Sequence, residues 1–254
     1  MTSVASSRFE GRSAIVSGAG SGIGRATALM LARDGAASLA IDISEQAAQQ
    51  VVQDIASAGG VAKTFVADVT DLGCVRGSVK AASRMTPLKI AINNVGTGGE
   101  RRILTDVSEG DWRRVLSVNV DAVFLALGEQ IPSIVHAGGG AIVNVASVFG
   151  LVGNPMSTAH VTSKHALIGL TKNAAIEFAT AGVRVNSVAP GFIETPLFRE
   201  TYSSDAIEAI TVKHPMGRLG RPEEVADLIT FLASESASFI TGSCHSIDGG
   251  YTAI

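Results

Sequence analysis

Only two tyrosines, two cysteines and one tryptophan occur in 254 residues. The cysteines, Cys74 and Cys244, are too few for a disulfide framework or a zinc knuckle, and two free thiols fit a reducing cytosol. No positive surplus exists. Twenty basic residues against 23 acidic ones give a formal charge of −3, which points neither to nucleic acid nor to an anionic membrane. No uncharged run of ~18 apolar residues appears, so no membrane-spanning helix is predicted. Met1 to Glu10 is Ser-rich and lacks the apolar segment of a secretory signal. The expected location is cytoplasmic. What the chain has in quantity is apolar material: 46% hydrophobic against 17% charged residues, enough for one large core and the opposite of a disordered composition.

Apolar runs of strand length alternate with stretches of helical spacing from end to end. Ser13–Ser17, Leu39–Ile43, Val61–Val66, Leu88–Ile92, Ala141–Ala146, Val183–Val188 and Ser243–Ile247 read as strands. Between them, Arg25–Asp34, a segment starting at Ser44, Asp71–Arg84, Glu109–His136, Thr158–Ala181 and Pro222–Ala233 read as helices. Continuous apolar strands separated by helices predict an α/β fold: one doubly wound, Rossmann-like domain over residues 1–254, about seven parallel strands with helices on both faces. The irregular segment 191–215 follows a strand. Ligands in such sheets lie outside the carboxyl ends of strands, so this segment is a candidate substrate lid.

Ser17-Gly18-Ala19-Gly20-Ser21-Gly22-Ile23-Gly24 stands between the first strand and its helix. Glycines there allow a tight turn and close backbone approach to a pyrophosphate, and the helix N-terminus adds free N–H groups and partial positive charge. Asp42 ends the second strand, where a carboxylate accepts hydrogen bonds from the adenosine ribose and repels a 2′-phosphate. The expected cofactor is therefore NAD, with NADP disfavoured by Asp42.

The spacing, G-x-x-x-G-x-G through Gly18, Gly22 and Gly24, resembles that of the short-chain dehydrogenase/reductase family. The resemblance covers nearly the whole chain. Asn93-Asn94-Val95-Gly96 is similar to the family's N-N-A-G motif, and Asp68-Val69 to its adenine-contacting pair. Asn119, in Ser-Val-Asn-Val, resembles its helix asparagine, and Ser147 its catalytic serine. Pro190-Gly191, Ile193 and Thr195 resemble the segment that holds the nicotinamide carboxamide, and Asp248-Gly249-Gly250 its C-terminal turn. The resemblance implies Gly18, Ser21, Gly22, Ile23, Gly24, Asp42, Asp68, Val69, Asn94, Gly96, Lys164, Pro190, Gly191, Ile193 and Thr195 as cofactor-binding residues. It implies a homotetramer or dimer, and Asn119, Ser147 and Lys164 as members of the catalytic set.

The family's fourth member is the tyrosine of Tyr-x-x-x-Lys. In this chain the segment reads His160-Val161-Thr162-Ser163-Lys164, so His160 holds the tyrosine position. Spacing of i,i+4 puts His160 and Lys164 on one helical face. A nearby lysine and an oxidised nicotinamide push the imidazole pKa down and keep it neutral, able to accept a proton from an alcohol but poorly suited to donate one. Imidazole also reaches less far than a phenol, so an intervening water is one expected route. Neither Tyr202 nor Tyr251 is near Lys164 in sequence; of the two, Tyr202 in the lid is the candidate to approach the site.

The expected function is NAD-dependent interconversion of a hydrophobic secondary alcohol and its ketone, with activity reduced or altered by His160. The alternative is an NAD-binding protein of this fold with non-redox chemistry, such as isomerisation, dehydration or cyclisation, or none. A metal site is not expected, because the five histidines show no zinc-ligand spacing with a carboxylate. Ser147, Phe149, His160, Phe192, Leu197, Phe198 and Tyr202 are the expected substrate contacts, with Leu151 and Val152 lining the same cleft. Such apolar walls suit a small hydrophobic alcohol or ketone rather than an anion. Glu100-Arg101-Arg102 reads as solvated loop, and Tyr251–Ile254 as a segment covered at a subunit interface.

Overall fold

The computed structural model describes residues 8–254. The N-terminal reading above falls partly on residues 1–7, which lie outside the described residues. Seven strands form one parallel sheet: β1 (Ser13–Ser17), β2 (Ala37–Asp42), β3 (Val61–Val66), β4 (Leu88–Asn93), β5 (Gly140–Val145), β6 (Val183–Pro190) and β7 (Cys244–Ile247). Their order, β3-β2-β1-β4-β5-β6-β7, reverses direction between β1 and β4. That reversal opens a crevice at the carboxyl ends of the two strands, where ligands of doubly wound sheets bind.

The helices are α1 (Gly22–Arg33), α2 (Glu45–Ser57), α3 (Leu72–Ser83), α4 (Glu109–Leu116), α5 (Ala122–His136), α6 (Thr158–Phe178), α7 (Pro196–Thr201), α8 (Ser204–Thr211) and α9 (Pro222–Ala233). Side chains alternate across the pleat, so β1 sends Ala14 and Val16 to one core and Ile15 to the other. Leu31 of α1 and Val225, Ile229 and Leu232 of α9 complete the first core. Val123, Leu127 and Ile131 of α5 and Leu167 of α6 complete the second. Both faces of the central strands are thereby covered, as their continuous apolar sequences require.

Four local expectations change. α1 begins at Gly22 rather than Arg25, inside the glycine loop. β3 is an edge strand, and Val61 and Val66 stay exposed instead of being covered on both faces. The stretch Glu109–His136, read as one helix, is long and apolar enough by length and composition alone to cross a membrane. Its residues Val123, Leu127, Ile131 and Ile134 nevertheless pack into the core beneath the sheet. That stretch is also interrupted by a π-turn at Ser117–Asp121 centred on Asn119. Finally, 191–215 is not irregular, because it carries α7 and α8, capped by the hydroxyls of Thr195 and Ser203.

Candidate active site

The chain leaves β1 at Ser17 and turns through Gly18 (φ +63°) and Gly22 (φ +51°), conformations that side chains with a Cβ rarely adopt. Gly24 is required by space rather than by torsion: a Cβ there would lie 2.0 Å from the Gly18 carbonyl oxygen. The Asn94 Nδ2 donates to the carbonyls of Ser17 (3.1 Å) and Gly18 (3.3 Å), and its backbone N–H donates to Ser17 Oγ (3.0 Å). Asn94 therefore braces the loop from β4. The Asp42 carboxylate accepts N–H bonds from Gly20 (2.8 Å) and Ser44 (2.9 Å), which holds it beside the loop. Asp68 is fixed by Thr70, whose N–H (2.9 Å) and hydroxyl (2.7 Å) both bond to Oδ1.

These residues enclose a cavity of about 670 Å³ at the switch point. Gly18, Ser21, Gly22, Ile23 and Asp42 form one wall. Asp68, Val69, Asn94, Gly96 and Thr195 form the rest of the predicted lining. Gly24 is not part of the surface; it lets α1 pack against the turn. The open backbone where a Cβ would collide, the helix start and the carboxylate beyond it fit the pyrophosphate and ribose of a dinucleotide.

A second cavity of about 540 Å³ adjoins the first and shares Ile23, Asn94, Gly96, Thr195 and Leu197 with it. Ser147, His160 and Lys164 meet here, brought from the end of β5 and from α6. The five aromatic or apolar residues predicted to touch substrate (Phe149, Phe192, Leu197, Phe198 and Tyr202) line it, as do Pro190, Gly191 and Ile193. Leu151 and Val152 do not. After Ser147 the chain makes a single 3₁₀ turn over Val148–Gly150 and carries Leu151 outward, where it is 41% exposed. Entry into α6 runs through Met156, at φ +57° the one non-glycine residue with positive φ among the described residues. Backbone strain of this kind collects beside functional sites.

His160 Nδ1 lies 3.0 Å from the Thr97 carbonyl oxygen. A carbonyl only accepts, so a hydrogen bond across this distance calls for the Nδ1–H form of the ring. Burial first, then the Lys164 charge, lowers the His160 pKa to about 4, against a smaller opposing effect of the Thr97 hydrogen bond. Lys164 is buried and its ammonium donates to the Val145 carbonyl at 2.8 Å. Burial lowers its pKa to about 8. Asn119 is fully buried and lines neither cavity. Its Oδ1 accepts from Thr97 N–H (2.8 Å), and its Nδ2 donates to the Thr97 carbonyl (2.9 Å) and to Ser163 Oγ (2.9 Å). The π-turn re-aims this one side chain, a common use of such turns.

Four features escaped the sequence reading. The Thr97 carbonyl is a backbone group and leaves no signature. Arg114 lines both cavities and is tied to Asp111 at 2.6 Å; Arg101 lines the second from a loop that is exposed, as its sequence reads. Tyr251, read from the sequence only as an interface residue, packs against the cleft's aromatic wall. Its ring lies 5.9 Å from Phe192 and 6.2 Å from Phe149 between centroids. The buried His214 stands behind Phe192 and accepts its backbone N–H at 3.3 Å.

A doubly wound sheet with a dinucleotide cavity at its switch point and a polar cluster in an apolar cleft beside it defines a nicotinamide-dependent oxidoreductase of Rossmann architecture. The comparisons with known proteins agree. A family profile described as enoyl-(acyl carrier protein) reductase matches residues 18–252. Cyclohexanol dehydrogenase from Acinetobacter sp. (strain SE19) is 44% identical over 99% of each chain. Cis-4-hydroxycyclohexanecarboxylate dehydrogenase from Sinomonas cyclohexanicum is 40% identical over 97% of this chain and 98% of its own. The crystal structure of levodione reductase superposes with a TM-score of 0.92 at 33% identity, covering 97% of this chain and 99% of that one. The chain belongs to the short-chain dehydrogenase/reductase family.

Proposed function

We propose that this protein is an NAD-dependent dehydrogenase that interconverts a small, hydrophobic, cyclic secondary alcohol and its ketone, with His160 in place of the family's tyrosine as proton acceptor. The observation that carries this reading is the His160 ring in the apolar cleft, neutral, with Nδ1 occupied and Nε2 available. Relatives at 44% and 40% identity whose names specify cyclic alcohols support the substrate class. Asp42 supports NAD: a 2′-phosphate beside it meets like charge, and of the residues lining that cavity only Arg114 is basic. Asp42 likewise counts against an NADPH-dependent acyl-carrier-protein reductase; a 3-oxoacyl-[acyl-carrier-protein] reductase from Thermotoga maritima is 40% identical.

Gly18, Ser21, Gly22 and Ile23 would hold the pyrophosphate of the dinucleotide, Asp42 its ribose, and Asp68 and Val69 its adenine. Lys164, Pro190, Gly191, Ile193 and Thr195 would hold the nicotinamide half. When bound, the oxidised nicotinamide supplies a hydride acceptor. Ser147 Oγ is the hydroxyl that orients the substrate oxygen, and His160 Nε2 takes the hydroxyl proton, directly or through one water. Phe149, Phe192 and Phe198 exclude bulk water, which strengthens both polar contacts. The protein acts in the cytoplasm as a homotetramer or dimer.

The second reading, a cofactor-binding protein with non-redox chemistry or none, is favoured by the absence of a tyrosine beside Lys164. His160→Tyr separates the two. Steady-state oxidation of cyclohexanol and related alcohols with NAD is expected to rise at least ~10²-fold in the variant over slow wild-type turnover, as for general acid–base catalysis. A variant that stays silent across the alcohol panel while binding NAD would support the second reading.

A further inference from the structure

We propose that His160 is a single-ended base: its Nδ1–H stays on the Thr97 carbonyl throughout, and every proton it takes or gives passes through Nε2 at the cleft. This deepens the redox reading above and rests on it for its catalytic meaning, but the tautomer it requires is a property of the protein without cofactor.

The geometry is a closed ring of hydrogen bonds. Nδ1 lies 3.0 Å from the Thr97 carbonyl oxygen, within hydrogen-bond reach of a group that only accepts. Asn119 grips both polar groups of Thr97, accepting its N–H at 2.8 Å and donating to its carbonyl at 2.9 Å. The second N–H of Asn119 goes to Ser163 Oγ at 2.9 Å, and that hydroxyl donates to the His160 carbonyl at 2.8 Å. Every donor and acceptor of the Asn119 side chain is used, so the Thr97 peptide cannot turn its carbonyl away without stranding buried groups. A flipped tautomer, with Nδ1 unprotonated, would face that carbonyl lone pair to lone pair.

The ring's other nitrogen has no hydrogen-bond partner among the described residues, and the ring lines the cavity. Lys164 is one turn further along α6, yet its ammonium points to the Val145 carbonyl at 2.8 Å and makes no hydrogen bond to the imidazole. The other charged groups around the cavity are the cations of Arg101 and Arg114, and cations supply no proton acceptor. A proton taken up at Nε2 therefore leaves an imidazolium whose Nδ1–H faces an amide oxygen, which is not a base at neutral pH. The way out is back through Nε2 to water in the opened cleft. Thr97 and Asn119 are thus positioning residues, since they select which nitrogen does the work.

The test is a long-range proton–nitrogen correlation spectrum of the full-length, cofactor-free protein carrying ¹⁵N-histidine near neutral pH, with the His160 signals assigned by their loss in His160→Gln. The expected result is one tautomer in at least tenfold excess, with Nδ1 of pyrrole type and Nε2 of pyridine type. An Nε2–H tautomer in excess, or an even mixture, would overturn the proposal. Asn119→Ala releases the Thr97 peptide and is expected to bring the second tautomer above one part in ten. If that variant folds and the ratio does not move, the positioning role of Asn119 is wrong. The wild-type spectrum decides the tautomer even if the variant fails to fold. Alcohol oxidation by the same preparation is scored separately: a silent protein with the Nδ1–H tautomer defeats the redox reading, and an active one with the Nε2–H tautomer defeats this proposal.

Discussion

Protonation of His160 should occur far below the pH at which a solvated histidine titrates. Burial and Lys164 together lower its pKa from the ordinary ~6.5 to about 4. At about pH 5.5 an ordinary imidazole is about one-tenth neutral, whereas His160 is almost entirely neutral, roughly a tenfold difference in available base. The assay is a ring-proton titration of the five histidines followed by NMR, with His160 identified through His160→Gln. One histidine is expected to titrate near 4, and in Lys164→Met its midpoint should move up, though not to the ordinary value, because burial is the larger cause. Stability follows by linkage. The unfolded chain takes up the proton first, so between about pH 6.5 and about 4 the folded state loses stability as pH falls. Complete burial would make that loss about 3 kcal/mol, and partial solvent access to the ring reduces it to about 1–2 kcal/mol. Catalytic oxidation should then be insensitive to His160 ionisation from about pH 5.5 to neutrality. A His160 midpoint at or above ~6.5 would refute the reasoning.

Three further outcomes follow from other parts of the site. Gly24→Ala forces a methyl group to within 2.0 Å of the Gly18 carbonyl, so calorimetric binding of NAD should fall beyond detection; retained affinity would contradict the described packing. On the proposed NAD reading, Asp42→Ala removes the carboxylate that bonds to Gly20 and Ser44 and should shift the ratio of NADP to NAD Kd toward NADP by at least ~10-fold, through the loss of like-charge repulsion; an unchanged ratio would show that Asp42 does not set the choice. Lys164→Met deletes a buried ammonium whose one described protein partner is a carbonyl, and should raise the thermal midpoint by ~1–3 kcal/mol equivalent of stability while abolishing turnover. A lower midpoint would mean that the ammonium stabilises the fold.

Most of the fold was legible because its signals are local. Strand-length apolar runs, helical spacing and the glycine turn each lie within one short window, and β1 with Ile15 on one face and Val16 on the other needs no distant information. Boundaries shifted where a turn competes with a helix, as at Gly22, where a positive φ starts α1 three residues early. The helices α7 and α8 were missed because they are short and their polar caps read as loop residues.

The residue types of the candidate site and their order could also be read along the chain, down to His160 four residues before Lys164. Their electrical state could not. The imidazole pKa depends on burial and on a carbonyl 63 residues away in the chain, and its tautomer on an asparagine that a π-turn re-aims. The aromatic wall tells the same story: Tyr251, near the end of the sequence, closes against Phe149 and Phe192 only because β7 lies beside β6. Sequence by itself determined which groups this protein has, since composition and local periodicity are written along the chain. Only the tertiary structure decided which of them touch, because desolvation and hydrogen bonding act between residues that the folded chain brings together from distant positions.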